Sequence, residues 1–458
     1  MKIHFVGIGG IGVSALAKYY LAKGWEVSGC DLVSSEITEQ LKNMGAKIRI
    51  GPPKKSCVPA NVATIVYSPA VPKTNPEIQK SKSKIQKLSY PEALGELTKT
   101  HYTIAVSGTH GKSTTTAMIG LLLAKAGLDP TVIVGTKLKE FGDSNCRVGK
   151  SKYLVIEADE HFASFLNYWP KMIVLTTVEA DHLDYWKTLQ NLLRGFQKYI
   201  SHLPQNGVLV ANGEDPNIKK ILNSVNITVV KNTLLFSRKQ NEAKLLRKVL
   251  KIPGEHNVSN ALAALTVARV LGIPDKISFR ALGAYRGSWR RFEIFDSKIK
   301  NLKFKIVSDY GHHPTEIKVT VEAARSKWPF DAAQGKPELW LVFQPHQYAR
   351  TYYLWDDFVK VLSNLSVDKL IITDIYDVAG REGKRIKKLV SSAKLVKVIT
   401  SEYKGDRHDI PILYIPTIRQ VREYLVNNLR GGEVVMVMGA GDIYNLTLRL
   451  RSGYTKRT

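Results

Sequence analysis

The sequence predicts an α/β fold in three domains, and three observations lead there. Strand-like apolar runs alternate with helical stretches from the first residues onward. Glycine-containing turns join strand to helix at two separate places, around residues 7–12 and 107–113. A further series of strands begins after residue 290. Strands alternating with crossover helices make parallel sheets. At roughly 150 residues per domain, a chain of 458 residues holds about three domains, each large enough to bury its own core.

Taken in order, residues 2–8 alternate into a strand that Gly7, Gly9, Gly10 and Gly12 interrupt. The apolar period from Ser14 to Lys23 predicts a helix, and Glu26–Asp31 a second strand. The segment from Pro69 to Pro91, rich in Pro, Lys and Ser, reads as the periphery and exit of a first domain, placed at residues 1–100. A new strand begins at Tyr102 and runs through a glycine turn into a long helix that starts with Ser and Thr. Strands at Tyr153–Glu157 and Met172–Thr177 end in acidic or hydroxyl residues, on the edge where open α/β sheets bind ligands. Residues 236–251 are hydrophilic, an Ala-rich helix follows IPGEHNVSN, and Gly283–Arg291 reads as the linker that closes a second domain at 101–289. The third domain, 290–458, holds strands at Phe304–Ser308, Leu339–Phe343, Leu370–Thr373 and Val434–Met438, with a surface loop expected at 326–339.

A composition of 44% hydrophobic and 23% charged residues excludes a disordered or collagen-like chain. No apolar stretch approaches the ~18 residues of a membrane span, and MKIHFVGIGG alternates like a strand rather than a signal peptide. A soluble cytoplasmic protein without membrane insertion is expected. Cys30, Cys57 and Cys146 share no metal-ligand spacing and are odd in number, which speaks against a disulfide framework and a zinc site. The net charge of +27 suggests nucleic acid at first sight. The excess is spread as +7, +10 and +10 over the three segments, with no basic arm or aromatic-basic motif, so no nucleic-acid partner is expected.

Gly7-Ile8-Gly9-Gly10-Ile11-Gly12 fits G-x-G-x-x-G between strand and helix, where glycines let the backbone approach a diphosphate at a helix N-terminus. Asp31, at the end of the second strand, stands where a carboxylate could reach a ribose hydroxyl or a base. A ligand-free turn, NAD and another nucleotide diphosphate all remain open on this motif alone. Ser107-Gly108-Thr109-His110-Gly111-Lys112-Ser113, followed by Thr114, reads as a phosphate-binding loop. In such loops backbone amides cradle phosphates, the lysine reaches the β and γ oxygens, and the hydroxyl meets magnesium. Val106 stands where the first glycine of the ordinary motif would be. Downstream, Glu157-Ala158-Asp159-Glu160 and Glu179-Ala180-Asp181-His182-Leu183-Asp184 bring carboxylates to neighbouring strand ends, as a nucleotide-bound magnesium requires.

In these residues the chain resembles the Mur ligases of peptidoglycan synthesis, and within them the alanine-adding branch. The resemblance rests on the order and spacing of HFVGIGGIG at 4–12, SPAVPKTNPEI at 68–78, GTHGKSTTT at 108–116, EADE at 157–160 and EADHLD at 179–184. It continues through GEHNVSNALAA at 254–264, RRF at 290–292, SDYGHHPTEI at 308–317, FQPHQYART at 343–351 and GAGDI at 439–443, and so covers nearly the whole chain. It implies an N-terminal Rossmann-like UDP-binding domain, a central P-loop ATPase-like domain and a C-terminal Rossmann-like domain. The implied reaction is ATP-dependent joining of L-alanine to the carboxylate of UDP-N-acetylmuramate through an acyl phosphate, a step in cell-wall biogenesis and hence in cell shape and division.

The same resemblance makes Gly7, Gly9, Gly10, Gly12, Asp31 and Ser68 the UDP-sugar residues, and Gly108, Thr109, His110, Gly111, Lys112, Ser113 and Thr114 the ATP loop. Ser113, Glu157 and His182 are the implied Mg2+ ligands. His256, Asn257 and Asn260 fall in the adenine-side motif, and Arg291 and Asp309 would be ATP contacts from the third domain. Tyr310, His312, His313, His346 and Arg350 would line the place where the muramyl carboxylate meets L-alanine, with Lys112 and Arg350 neutralising charge and His312 or His313 taking the ammonium proton. Some relatives carry a carbamoylated lysine, for which Lys198 is the candidate here.

Three departures bear on the substrate end: Gln347 where the family has Arg, His161-Phe162 where it has Ser-Asp, and an altered segment at 377–382. A recycling ligase that adds a murein tripeptide to the same sugar nucleotide is the alternative within the family. An NAD-dependent dehydrogenase would leave the phosphate loop and both acidic clusters without a purpose.

Overall fold

The structure, a computed structural model, describes residues 1–79, 85–224, 232–299, 301–329, 337–378, 382–403 and 410–451. Its described strands form three sheets. The first, in the order β3-β2-β1-β4-β5, contains β1 (Lys2–Val6), β2 (Glu26–Asp31), β3 (Lys47–Ile50), β4 (Thr64–Tyr67) and β5 (Gln86–Ser89), all parallel. The chain winds outward from β1 in both directions, so the β1 end is the point where the strand order reverses and ligands of such sheets bind.

The second sheet runs β12-β11-β10-β6-β9-β7-β8. Here β6 (Tyr102–Ser107) is central, flanked by β9 (Tyr153–Glu157) and β10 (Met172–Leu175). Outside them lie β7 (Thr131–Leu138), β8 (Ser144–Arg147), β11 (Val208–Asn212) and β12 (Thr233–Phe236). Only the β7–β8 pair is antiparallel. The third sheet runs β13-β14-β18-β15-β16-β17, from β13 (Glu293–Ile299) and β14 (Leu302–Asp309) through β18 (Val434–Met438) and β15 (Leu339–Phe343) to β16 (Lys369–Ile372) and β17 (Ile412–Tyr414). All its pairs are parallel except the β13–β14 hairpin.

The central strands are buried from end to end, as VVMVM of β18 and LWLVF of β15 show. Helices on both faces leave parallel strands no solvent side, so they read as continuous apolar runs. The helix Lys112–Lys125 is buried at every position from Ser113 to Leu123, which is why its first turns carry threonines rather than charges.

The chain divides into two compact units. One comprises Met1–Glu179, Gln190–Leu250 and Val258–Tyr285; the other comprises Ala180–Leu189, Lys251–Asn257 and Arg286–Thr458. The first two sheets therefore share a unit, and polar contacts between them explain it. Lys18, on the helix Ile11–Ala22, is buried and donates to Asn145 Oδ1 (2.9 Å) and Ser144 Oγ (3.1 Å) of β8. Asn145 in turn donates to Ser14 Oγ at 3.0 Å and to the Ile11 carbonyl. Lys137 of β7 pairs with Glu36 at 2.9 Å.

Several expected elements shift. The first strand stops at Val6 because Gly7 turns the chain at φ +76°, and the helix begins at Ile11 rather than Ser14. The segment 69–91 contains a strand, β5, whose polar QKLS suits an edge. The hydrophilic 236–251 stretch contains the helix Glu242–Val249. Both hairpins, β7–β8 and β13–β14, went unread. Of the loop expected at 326–339, residues 330–336 lie outside the described residues, and so do 379–381 of the altered 377–382 segment.

Candidate active site

The glycine turn forms where β1 ends. The amides of Gly7 and Ile8 donate to the Cys30 carbonyl of β2 at 2.9 and 3.0 Å. The Gly9 amide donates to Asp31 Oδ2 at 2.8 Å, and a Cβ on Gly9 would stand 2.9 Å from the same oxygen. Ser68 donates its amide to the Val6 carbonyl at 3.0 Å and packs against Gly7. The structure thus brings Gly7, Gly9, Gly10, Gly12, Asp31 and Ser68 to one edge of the first sheet. Asp31 spends one oxygen on holding the turn, a use that the sequence spacing did not suggest.

The second turn follows β6. Gly108 and Gly111 adopt φ of +132° and +81°, a region that strains any residue with a side chain; a Cβ on Gly108 would also run into Thr176 and the Thr177 backbone, and one on Gly111 into the Asn260 side chain. Thr177 secures the loop by accepting from Thr109 N at 2.7 Å and from His110 N at 3.0 Å. Lys112 folds back over it, donating to the carbonyls of Gly108 (2.7 Å) and Thr109 (3.3 Å) and to both oxygens of Glu160 (3.1 and 2.9 Å). Burial opposes the charge on Lys112, but Glu160 and Asp159 outweigh it and hold the ammonium protonated. Ser113 donates to Glu157 Oε1 at 2.9 Å, while Glu157 Oε2 accepts from Gly135 N of β7 at 2.8 Å. Gly111→Ala should raise the KM for ATP at least tenfold, because αL strain of roughly 1–2 kcal/mol adds to the collision with Asn260; initial rates against ATP concentration check it.

The helix Glu255–Val270 carries the adenine-side candidates His256, Asn257 and Asn260. Asn260 lies against Gly111, and Asn257 Nδ2 donates to the Pro253 carbonyl at 2.6 Å. Lys198 is exposed on the helix Leu189–Ile200.

In the second unit, Arg350 sits on the short helix Tyr348–Tyr353 and is 8% exposed. Its Nε and Nη2 donate to the two oxygens of Asp181 at 2.9 and 3.3 Å, a bidentate ion pair that keeps the Asp181 carboxyl well below its ordinary value despite burial. Arg350 Nη1 lies 3.4 Å from His346 Nδ1. The His346 ring stacks on Tyr376 and meets the ring of His312 edge-on at 5.6 Å. Gln347, at φ +72°, lines a small surface cleft together with Asp181, His182, Asp184, Arg350 and Tyr353. Glu382 accepts from the amides of Tyr348 and Ala349 at 3.0 and 2.6 Å and so fixes the start of the Arg350 helix.

Both expected proton acceptors make hydrogen bonds to the backbone. His313 caps the helix Pro314–Lys327: its Nδ1 accepts from Thr315 N at 3.2 Å, which makes Nε2 the donor to the Ala180 carbonyl, also at 3.2 Å. His312 Nδ1 donates to the Tyr310 carbonyl at 3.0 Å. Burial, aided by Arg350, pushes its pKa down from 6.5 to about 3. Because the folded value is the lower one, the unfolded chain binds more protons between pH 6.5 and 3. Stability is therefore complete above 6.5 and falls as the pH drops through that window, by about 2 kcal/mol between pH 7 and 5. Urea midpoints should show this loss for the wild type and much less of it for His312→Gln. Of the remaining candidates, Asp309 gives its oxygens to the amides of Gly311 (2.6 Å) and Phe292 (2.8 Å). Arg291 reaches Glu316 at 3.4 Å and lies over the Tyr310 ring.

Comparison with known proteins follows the same three-sheet order. Residues 2–102 match the family model described as Mur ligase family, catalytic domain; residues 106–268 match the Mur ligase middle domain; and residues 290–441 match the Mur ligase glutamate ligase domain. The chain belongs to the Mur ligase family. This Mur ligase is 38% identical over 466 residues to a UDP-N-acetylmuramate--L-alanine ligase of Acetivibrio thermocellus, with 97% of this chain and 94% of the relative covered. A protein of the same description from Clostridium botulinum is 37% identical, with 97% and 96% covered. Among solved structures, the UDP-N-acetylmuramate-alanine ligase of Thermotoga maritima superposes with a TM-score of 0.76 at 24% identity, covering 98% of each chain. That likeness speaks to the fold.

Two residues of this Mur ligase do work that the sequence reading did not assign. Glu160 holds Lys112, and Asp181 holds Arg350. Both lie in the acidic clusters already singled out, but only the folded chain shows which carboxylate meets which cation.

Proposed function

We propose that this Mur ligase joins L-alanine to the carboxylate of UDP-N-acetylmuramate, converting ATP to ADP and phosphate, and that it does so in the cytoplasm. The observation that carries the reading is the constellation of Lys112, Ser113 and Glu157 at the ends of β6 and β9, in a chain whose curated relatives carry this activity in their names. Residues 1–100 hold the sugar nucleotide at the glycine turn, 101–289 hold ATP, and 290–458 supply Arg350 and its neighbours. Among the described residues no helix is long and apolar enough to cross a membrane.

Ser113 and Glu157 suit Mg2+, since the Ser113 Oγ and Glu157 Oε1 are hard oxygen donors 2.9 Å apart. When bound there, Mg2+ supplies charge neutralisation for the transferring phosphoryl group. The carbonyls and carboxylate that Lys112 meets are partners it exchanges for phosphate oxygens. The γ-phosphoryl group passes from ATP to a muramyl carboxylate oxygen, and ADP leaves. The amine of alanine, having lost its proton, attacks the acyl carbon; the tetrahedral intermediate expels inorganic phosphate and the amide remains. Lys112 and Arg350 neutralise charge, and neither step uses an enzyme nucleophile. We assign His312 to orienting, as a neutral imidazole, and His313 to capping. The amine's proton goes to solvent or to a group other than these two.

Release of ADP should depend on both UDP-N-acetylmuramate and L-alanine. Turnover with the murein tripeptide and with no single amino acid would replace this reading with the recycling ligase.

A further inference from the structure

We infer that Tyr90 is a binding residue for the sugar nucleotide, its hydroxyl donating to an anionic oxygen of the ligand held beside the glycine turn. The inference rests on the proposed reading of that turn. Tyr90 opens the helix Tyr90–Lys99 directly after β5, on the same edge of the first sheet as Gly7 and Ser68. A capping box fixes its backbone: Ser89 N donates to Glu92 Oε2 at 2.7 Å, and Ser89 Oγ accepts from Glu92 N at 3.5 Å.

The ring lies over Gly12. A Cβ at that position would stand 2.7 Å from Cζ, 2.9 Å from Cε1 and 3.1 Å from the hydroxyl oxygen of Tyr90. Gly12 is thus glycine because the phenol fills the space of its side chain, and the hydroxyl comes to rest at the first turn of the helix that the glycine motif opens. Tyr90 is half-buried, and its hydroxyl makes no hydrogen bond with a described residue. A tyrosine with a sheltered ring and an unengaged tip ordinarily finds a polar partner for that tip.

The chemistry suits an anion. Burial, together with Glu157 and Asp159 of the neighbouring sheet, raises the phenol's pKa, so the group stays an O–H donor at any physiological pH. A neutral donor between a diphosphate and the carboxylates beside the ATP loop binds phosphate or carboxylate oxygen without adding a charge of its own. Phenylalanine would fill the same volume over Gly12, so packing gives the hydroxyl no purpose.

Calorimetric titration of the full chain with UDP-N-acetylmuramate and, separately, with MgATP tests this in the wild type and in Tyr90→Phe. We expect Tyr90→Phe to bind the sugar nucleotide about tenfold more weakly, with MgATP affinity and melting temperature unchanged. Equal affinity of both proteins for the sugar nucleotide, or an equal loss for both ligands, would overturn the inference. Failure of the wild type itself to bind UDP-N-acetylmuramate would instead overturn the proposed function.

Discussion

Replacing Lys112 with Met should abolish alanine-dependent ADP release, by a factor of 10³ or more, while UDP-N-acetylmuramate binding stays within about twofold. The lysine is the one side-chain cation of its loop aimed along the carbonyls of Gly108 and Thr109, and a preorganised charge at a transferring phosphoryl group typically carries several kcal/mol. The sugar-nucleotide turn belongs to a different sheet, so its geometry does not depend on Lys112. One complication follows from the same geometry. Glu160 is fully buried and faces Lys112 with both oxygens, so removing the cation strands a carboxylate and lowers stability by a few kcal/mol. The double variant Lys112→Met/Glu160→Gln should regain the stability and none of the turnover. Recovery of turnover in the double variant would show that Glu160, and not phosphate, is what Lys112 serves.

Asp181→Asn should destabilise the protein by about 3–5 kcal/mol, the range for leaving one member of a buried ion pair without its partner. Arg350 and Asp181 are 8% and 6% exposed and bonded at two atoms. Asn keeps one acceptor but not the charge. Replacing both, as Asp181→Leu/Arg350→Met, should restore most of the stability, since an apolar pair of similar size removes both desolvation costs. Alanine-dependent turnover should stay lost in the double variant, because Arg350 lines the cleft with Gln347. A double-mutant cycle by chemical denaturation checks the coupling, with additive effects of the two single changes contradicting it.

The sequence was most readable where function is local. The glycine turns after β1 and β6 need only a strand, a few residues with positive φ and a helix start, and all three lie within about a dozen residues of one another. The acidic clusters were readable as clusters, yet the pairing of Glu160 with Lys112 spans 48 residues and that of Asp181 with Arg350 spans 169, which no local pattern reports. The hairpins β7–β8 and β13–β14 escaped because SNCR and EIFDSKI are half-polar edge strands, weaker in apolar signal than the buried central strands. Asp309, which the family resemblance makes an ATP contact, also accepts from the amides of Gly311 and Phe292, a use that no local pattern reports. Tyr90 was invisible because its partner, Gly12, is 78 residues away and is recognised only by the side chain it lacks.

The most direct test of the account follows oxygen. With ¹⁸O in the muramyl carboxylate of UDP-N-acetylmuramate and with L-alanine and MgATP present, one labelled oxygen per turnover should appear in inorganic phosphate and none in adenine nucleotide. Label found in AMP, or phosphate released without it, would contradict acyl-phosphate formation at the Lys112 loop.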